Sequence, residues 1–146
     1  MAVKDDYVAD SEELYRRIPV SQNWYDPALK APPSPRAFRP HPKRDTTGLS
    51  VFRAKYVSPE QLCQNTRDDQ YYVAVLRTGD LREHGLKVVA VPVEDMPGHA
   101  EIPDLKSDTR KATEELQLLL AHKLCRAVLG PFPSRAPISR CGLYAV

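Results

Sequence analysis

Proline limits what this chain can become more than any other feature. There are fourteen in 146 residues, about twice the usual share. Most fall in three stretches, Pro27 to Pro42, Pro92 to Pro103 and Pro131 to Pro137. Proline interrupts helices and cannot donate to a central sheet ladder, so these stretches are expected to be loops or extended segments. Regular structure must come from the blocks between them. Apolar residues make up 42% of the chain, enough to bury the core of one domain.

Those blocks read as strands and short helices. "SEELYRRIP" fits either a helical turn capped by Ser11 or a strand over "ELYRRI"; Pro19 ends both. "LSVFRAKYV" (49–57) alternates, with Ser50, Phe52, Ala54 and Tyr56 as the more apolar, core-directed face and Arg53 and Lys55 on the other. "SPEQL" carries Ser58 at the N-cap, Pro59 at N1 and Gln61 at N3, a capping box opening a short helix. "YYVAVLR" (71–77) is rich in aromatic and β-branched residues and predicts a strand. Thr78 is placed to cap the turn "GDLREHG". "LKVVAVPV" (86–93) predicts the next strand, antiparallel to 71–77 because the link is too short for a crossover helix. Ala112, Leu116, Leu119, Leu120, Leu124, Ala127 and Val128 form a helical stripe between Ser107 or Asp108 and Gly130, roughly 30 Å of helix.

The expected fold class is α+β: a small, mostly antiparallel sheet of about four strands, with one long C-terminal amphipathic helix packed on it and short capped helices. Residues 1–12 are expected to be a mobile acidic arm, 13–130 a single domain wrapped on its outside by the segment 19–47, and 131–146 a proline- and arginine-bearing tail. The N-terminus "MAVKDDYVADSEELYRR" has no basic stretch followed by an apolar run, and no apolar run approaches the ~20 residues that span a bilayer. The expectation is a soluble, cytoplasmic chain of bacterial type.

Charge is distributed unevenly. Net charge is only +2, yet Lys30, Arg36, Arg39, Lys43, Arg44, Arg53 and Lys55 occur with a single acid, Asp45, among them. "KRDTTG" is a turn signal that would project Lys43 and Arg44. A group like this suits an anion: a phosphate, a carboxylate, a nucleic-acid backbone or an acidic protein face. Nucleic acid fits less well, because the net charge is small and Phe52 and Tyr56 read as core. The acids Asp5, Asp6, Asp10, Glu12 and Glu13 offer the opposite outcome, folding back to neutralise the patch. The reading is a non-catalytic binding or interaction protein, with Arg39, Lys43, Arg44, Arg53 and Lys55 engaging an acidic protein face or a phosphate-bearing ligand, and with no cofactor.

Other chemistries find little support. Cys63, Cys125 and Cys141 are odd in number and widely spaced, without CxxC or zinc-ligand spacing. His41, His84 and His122 are scattered. His99 in "PGHAEI" reads as a general base or a polar loop residue, sharing a strand face with Glu101. GxSxG, GxGxxG and P-loop signatures are missing.

An Arg after Leu-Tyr on an early strand, a Ser in "GLSVFRA" and a Glu in "GHAEIPDL" give an order that resembles the ADP-ribosyltransferase-like folds. The resemblance covers three short patches. It lacks that family's Ser-Thr-Ser run and its Glu-x-Glu or Gln-x-Glu. It implies NAD as substrate, with Arg16 or Arg17 holding NAD, Ser50 supporting the nicotinamide ribose and Glu101 stabilising the developing oxocarbenium charge. This is the alternative reading: a small NAD-consuming transferase or toxin-like enzyme.

Overall fold

Among the described residues six strands, not about four, pair into one antiparallel sheet. They are β1 (Glu13–Pro19), β2 (Leu49–Arg53), β3 (Gln70–Arg77), β4 (Val89–Ala90), β5 (His99–Ile102) and β6 (Ala127–Pro133), in the order β4-β5-β2-β1-β3-β6. Among the described residues three short α-helices accompany them, α1 (Pro59–Cys63), α2 (Thr78–Glu83) and α3 (Glu114–Leu119). The computed structural model describes residues 7–64, 66–109 and 112–134. The start of the acidic arm, and Cys141 with most of the tail, lie outside the described residues.

The long C-terminal helix does not form. α3 has six residues and runs into a five-residue π turn, Leu120–Leu124, after which the chain becomes β6. Leu120 and Leu124 of the stripe do reach the core. Ala127 and Val128 instead pair with Val75 and Ala74 of β3. The reason lies in the backbone. β3 would otherwise leave one edge of N–H and C=O groups without partners. The chain after Cys125 satisfies that edge, beginning with the Arg126 amide donating to the Val75 carbonyl at 2.8 Å. Side-chain periodicity carries no information about this demand.

Three further expectations change. The stretch 71–77 is indeed extended, but its neighbours are β1 and β6; β4 lies at the far edge of the sheet, beyond β5. The link through α2 crosses the core, burying Leu81, Leu86 and Val88. β2 is also read on the wrong face. Leu49 and Val51 join the main core with Leu14, Ile18, Ala74, Leu76, Ala100 and Ile102. Phe52 joins a smaller cluster on the opposite face with Leu62, Cys63, Tyr71 and Val73. A sheet covered on both faces has no solvent face for alternation to reveal. Finally, 19–47 is more than a wrapping. Its turn Pro35–Phe38 sends Ala37 and Phe38 into the main core, packed between β1 and the α3–π segment.

Arg53, expected on an open face, is only 1% exposed. Its Nε and Nη2 each donate to a Glu12 carboxylate oxygen at 2.8 Å, and Nη2 also donates to the Tyr7 carbonyl. Glu12 accepts the Ala9 amide as well, and Lys55 Nζ lies 3.8 Å away. Burial alone would raise the Glu12 carboxyl. The Arg53 and Ala9 hydrogen bonds and the charges of Arg53 and Lys55 outweigh it and hold the carboxyl below its ordinary value of 4.5. A carboxylate depressed on folding contributes stability that is complete above the unfolded value and is lost as pH falls through the folded one. Glu12→Gln should therefore cost about 3 kcal/mol at pH 7 in urea unfolding. It should also remove part of the acid-induced loss of stability below pH 4.5. A variant as stable as wild type would show the pair to be dispensable.

Candidate anion-binding cleft

β1 and β2 share only two register pairs, Leu14 with Arg53 and Tyr15 with Phe52, while β1 pairs with β3 along its whole length. At the Glu13 end the ladder closes, with the Ala54 amide donating to the Glu13 carbonyl. Toward Arg16 and Ser50 the two strands part. Ser50's backbone groups face the gap, where a strand partner would normally stand. Two side chains take its place. Asp45 Oδ1 accepts the Ser50 amide at 3.1 Å, and Arg16 Nη1 donates to the Ser50 carbonyl at 2.9 Å. Arg16 Nε and Nη2 donate to the carbonyls of Ala37 and Arg39. Gly48 permits the approach into β2, since a Cβ there would stand 3.0–3.1 Å from Pro103, Glu101 and Ile102.

The gap opens into a cavity of about 1090 Å³, slightly above the usual range for small-ligand pockets. Six arginines line it (Arg16, Arg17, Arg36, Arg39, Arg44 and Arg67) against two carboxylates, Asp45 and Asp68. Asp45 is 2% exposed and already holds the His41 and Ser50 amides, besides lying 3.8 Å from Arg16. Burial pulls the Arg16 guanidinium down to about 10; Asp45 opposes this, while Arg17 and Arg44 reinforce it. Burial also lowers Arg17, partly offset by Tyr71 and Cys63, and Arg44 lowers it further. Arg17 donates to the Leu62 carbonyl and lies over the Phe52 ring at 5.1 Å. The imidazole of His41 is lowered by burial and by Arg44. Its Nδ1 accepts the Lys43 and Arg44 amides, closing the loop. The cations are thus close enough to repel one another. Arg39 Nε is buried without a hydrogen-bond partner.

Of the five residues proposed from sequence as a basic surface, Arg39 and Arg44 line this cleft. Lys43 is exposed on the loop outside its lining. Arg53 and Lys55 belong to the Glu12 cluster. Of the alternative set, Arg16, Arg17 and Ser50 line the cleft. Glu101 is not among its lining residues. It sits opposite Ser50 in the β2–β5 register, 8% exposed, with its carboxylate accepting from the Thr47 hydroxyl at 2.9 and 3.0 Å. His99 lines the cleft, its Nδ1 2.9 Å from the Val91 carbonyl and its Nε2 3.1 Å from Ser50 Oγ. Arg67 carries no signal in the sequence. It stands beside two aspartates in "NTRDD", far from the other basics.

Burial raises the Cys63 thiol to about 11 despite Arg17, and raises Cys125 as well, so neither is a thiolate at neutral pH. Among the described residues no His/Cys/Asp/Glu cluster has the makings of a metal site, and no helix is long and apolar enough to cross a membrane. Compared with known proteins, the chain matches no family model, no curated protein and no solved structure.

Replacing Arg16 by Met would leave three inward carbonyls without their donor. Urea unfolding should show a loss of about 3 kcal/mol. Arg36→Met, at an exposed position, should stay within about 0.5 kcal/mol of wild type. Equal, small effects would mean that Arg16 does not hold the gap.

Proposed function

We propose that the cleft between β1 and β2 binds a small phosphate-bearing ligand. The observation that carries this reading is that six arginines line one cavity against two carboxylates, one of which, Asp45, is already committed to backbone amides. Guanidinium groups match phosphate oxygens in bidentate geometry. An anion would relieve the mutual repulsion of Arg16, Arg17 and Arg44. A concave site also suits a small ligand better than an acidic protein face or a nucleic-acid backbone.

Calorimetric titration with inorganic pyrophosphate tests this reading. Binding should weaken as salt rises. Arg39→Gln and Arg44→Gln should each raise Kd about tenfold, whereas Lys55→Gln, in the Glu12 cluster, should change it less than about twofold. Unaltered affinity in a folded Arg39→Gln/Arg44→Gln double variant would refute the assignment.

One register favours a second, enzymatic reading. Ser50 and Glu101 are partners across β2 and β5, and Arg16 of β1 donates to the Ser50 carbonyl. The Arg, Ser and Glu of the ADP-ribosyltransferase-like order thus occupy three adjacent strands. In this reading the ligand is NAD, held by Arg16 or Arg17, with Ser50 at the nicotinamide ribose. Glu101, which does not line the cleft, reaches the oxocarbenium-like centre only by giving up the Thr47 hydroxyl. Incubation with NAD should release nicotinamide, and Glu101→Gln should slow release by about 100-fold or more while sparing NAD affinity. Wild-type protein that binds NAD without releasing nicotinamide would remove the enzymatic reading and leave the binding one.

A further inference from the structure

Ser50 is held at every polar atom. Its amide donates to Asp45, its carbonyl accepts from Arg16, and its hydroxyl meets His99 Nε2 at 3.1 Å. The tautomer of His99 follows from its other contact. A backbone carbonyl can only accept, so the ring nitrogen 2.9 Å from the Val91 oxygen carries the proton. In the neutral ring Nε2 is then a lone pair, and Ser50 Oγ–H donates to it. A hydroxyl, a base and a third group orienting that base are the parts of an activated nucleophile. The pair opens onto the arginine cleft, and the His99 ring lies 5.5 Å from Phe52, over which Arg17 is stacked.

We infer that Ser50 and His99 form a nucleophile–base pair that cleaves phosphoesters bound in this cleft. The inference rests on the phosphate-binding reading and adds chemistry to it. In the first step Ser50 Oγ bonds to phosphorus while its proton passes to Nε2. The phosphorus bond to the ester oxygen breaks, and that oxygen leaves as an alcohol with the proton from Nε2. In the second step water attacks phosphorus and gives a proton to Nε2. The serine oxygen departs and takes that proton back. One water is consumed, and the products are an alcohol and a phosphate. The guanidiniums of the cleft balance the charge on the phosphoryl oxygens throughout.

A fluorophosphonate probe reads the first step directly, because Oγ bonds to phosphorus as fluoride leaves. Intact mass and peptide mapping should find one adduct, on Ser50. His99→Gln should label about 100-fold more slowly, and Ser50→Ala should not label at that position. 4-Nitrophenyl phosphate should release nitrophenolate with the same ranking of variants. Pyrophosphate titration of each variant separates the two claims. Retained binding with no Ser50 adduct and no turnover in wild type overturns the nucleophile assignment alone. Labelling that His99→Gln leaves unchanged overturns the pair. Ser50 labelling in a protein that neither binds pyrophosphate nor cleaves 4-nitrophenyl phosphate leaves the nucleophile–base pair standing but overturns its action on phosphoesters, together with the phosphate reading.

Discussion

The molecule turns on a substitution in its sheet. At Ser50 the edge of β2 that should face β1 is completed by two side chains, the Asp45 carboxylate on the amide and the Arg16 guanidinium on the carbonyl. A buried backbone group without a partner costs as much as a lost hydrogen bond, so two strands can part inside a domain only if something else pairs with them. Arg16 is suited to the task. Its fork reaches three carbonyls at once, and its guanidinium stays charged at neutral pH even when burial pulls it down to about 10.

The same device explains why the gap is cationic. A guanidinium is needed to satisfy the carbonyls, and Asp45 is needed to satisfy the amide and partly balance that charge. Once Asp45 is committed, the other arginines around the opening have little internal compensation. The closed end of the β1–β2 ladder is the opposite case. There Arg53 is almost fully buried, and Glu12 meets it with both oxygens. Arginines at the two ends of one short ladder therefore differ in role because their counter-charges differ.

This contrast marks what was legible in the sequence. Local signals read unevenly: Thr78, expected to cap the turn that follows it, is instead the first residue of α2, and its hydroxyl makes no cap bond. The capping box of Ser58 and Gln61 with Pro59 at N1 is present in full, and the aromatic and β-branched run at 71–77 is a strand. Patterns that need a partner elsewhere read poorly. The stripe from Ala112 to Val128 spans a helix, a π turn and a strand, because apolar spacing alone does not distinguish a helix face from successive elements packed on one core. Arg53 alternates as expected, but a sheet covered on both faces buries it. Of the basic cluster, Arg36, Arg39 and Arg44 reach the cleft, and the topology brings Arg67 to join them from a distant loop.

The fold around the cleft therefore depends on side chains standing in for a missing strand at Ser50. Residue-resolved amide hydrogen exchange tests this directly, comparing wild type with Asp45→Ala and using Val51, whose strand pairs with β5, as the internal control. The Ser50 amide should exchange slowly in wild type and at least about tenfold faster in the variant, with Val51 much less affected. A Ser50 amide that exchanges as fast as exposed loops in wild type, or one indifferent to Asp45, would contradict that dependence.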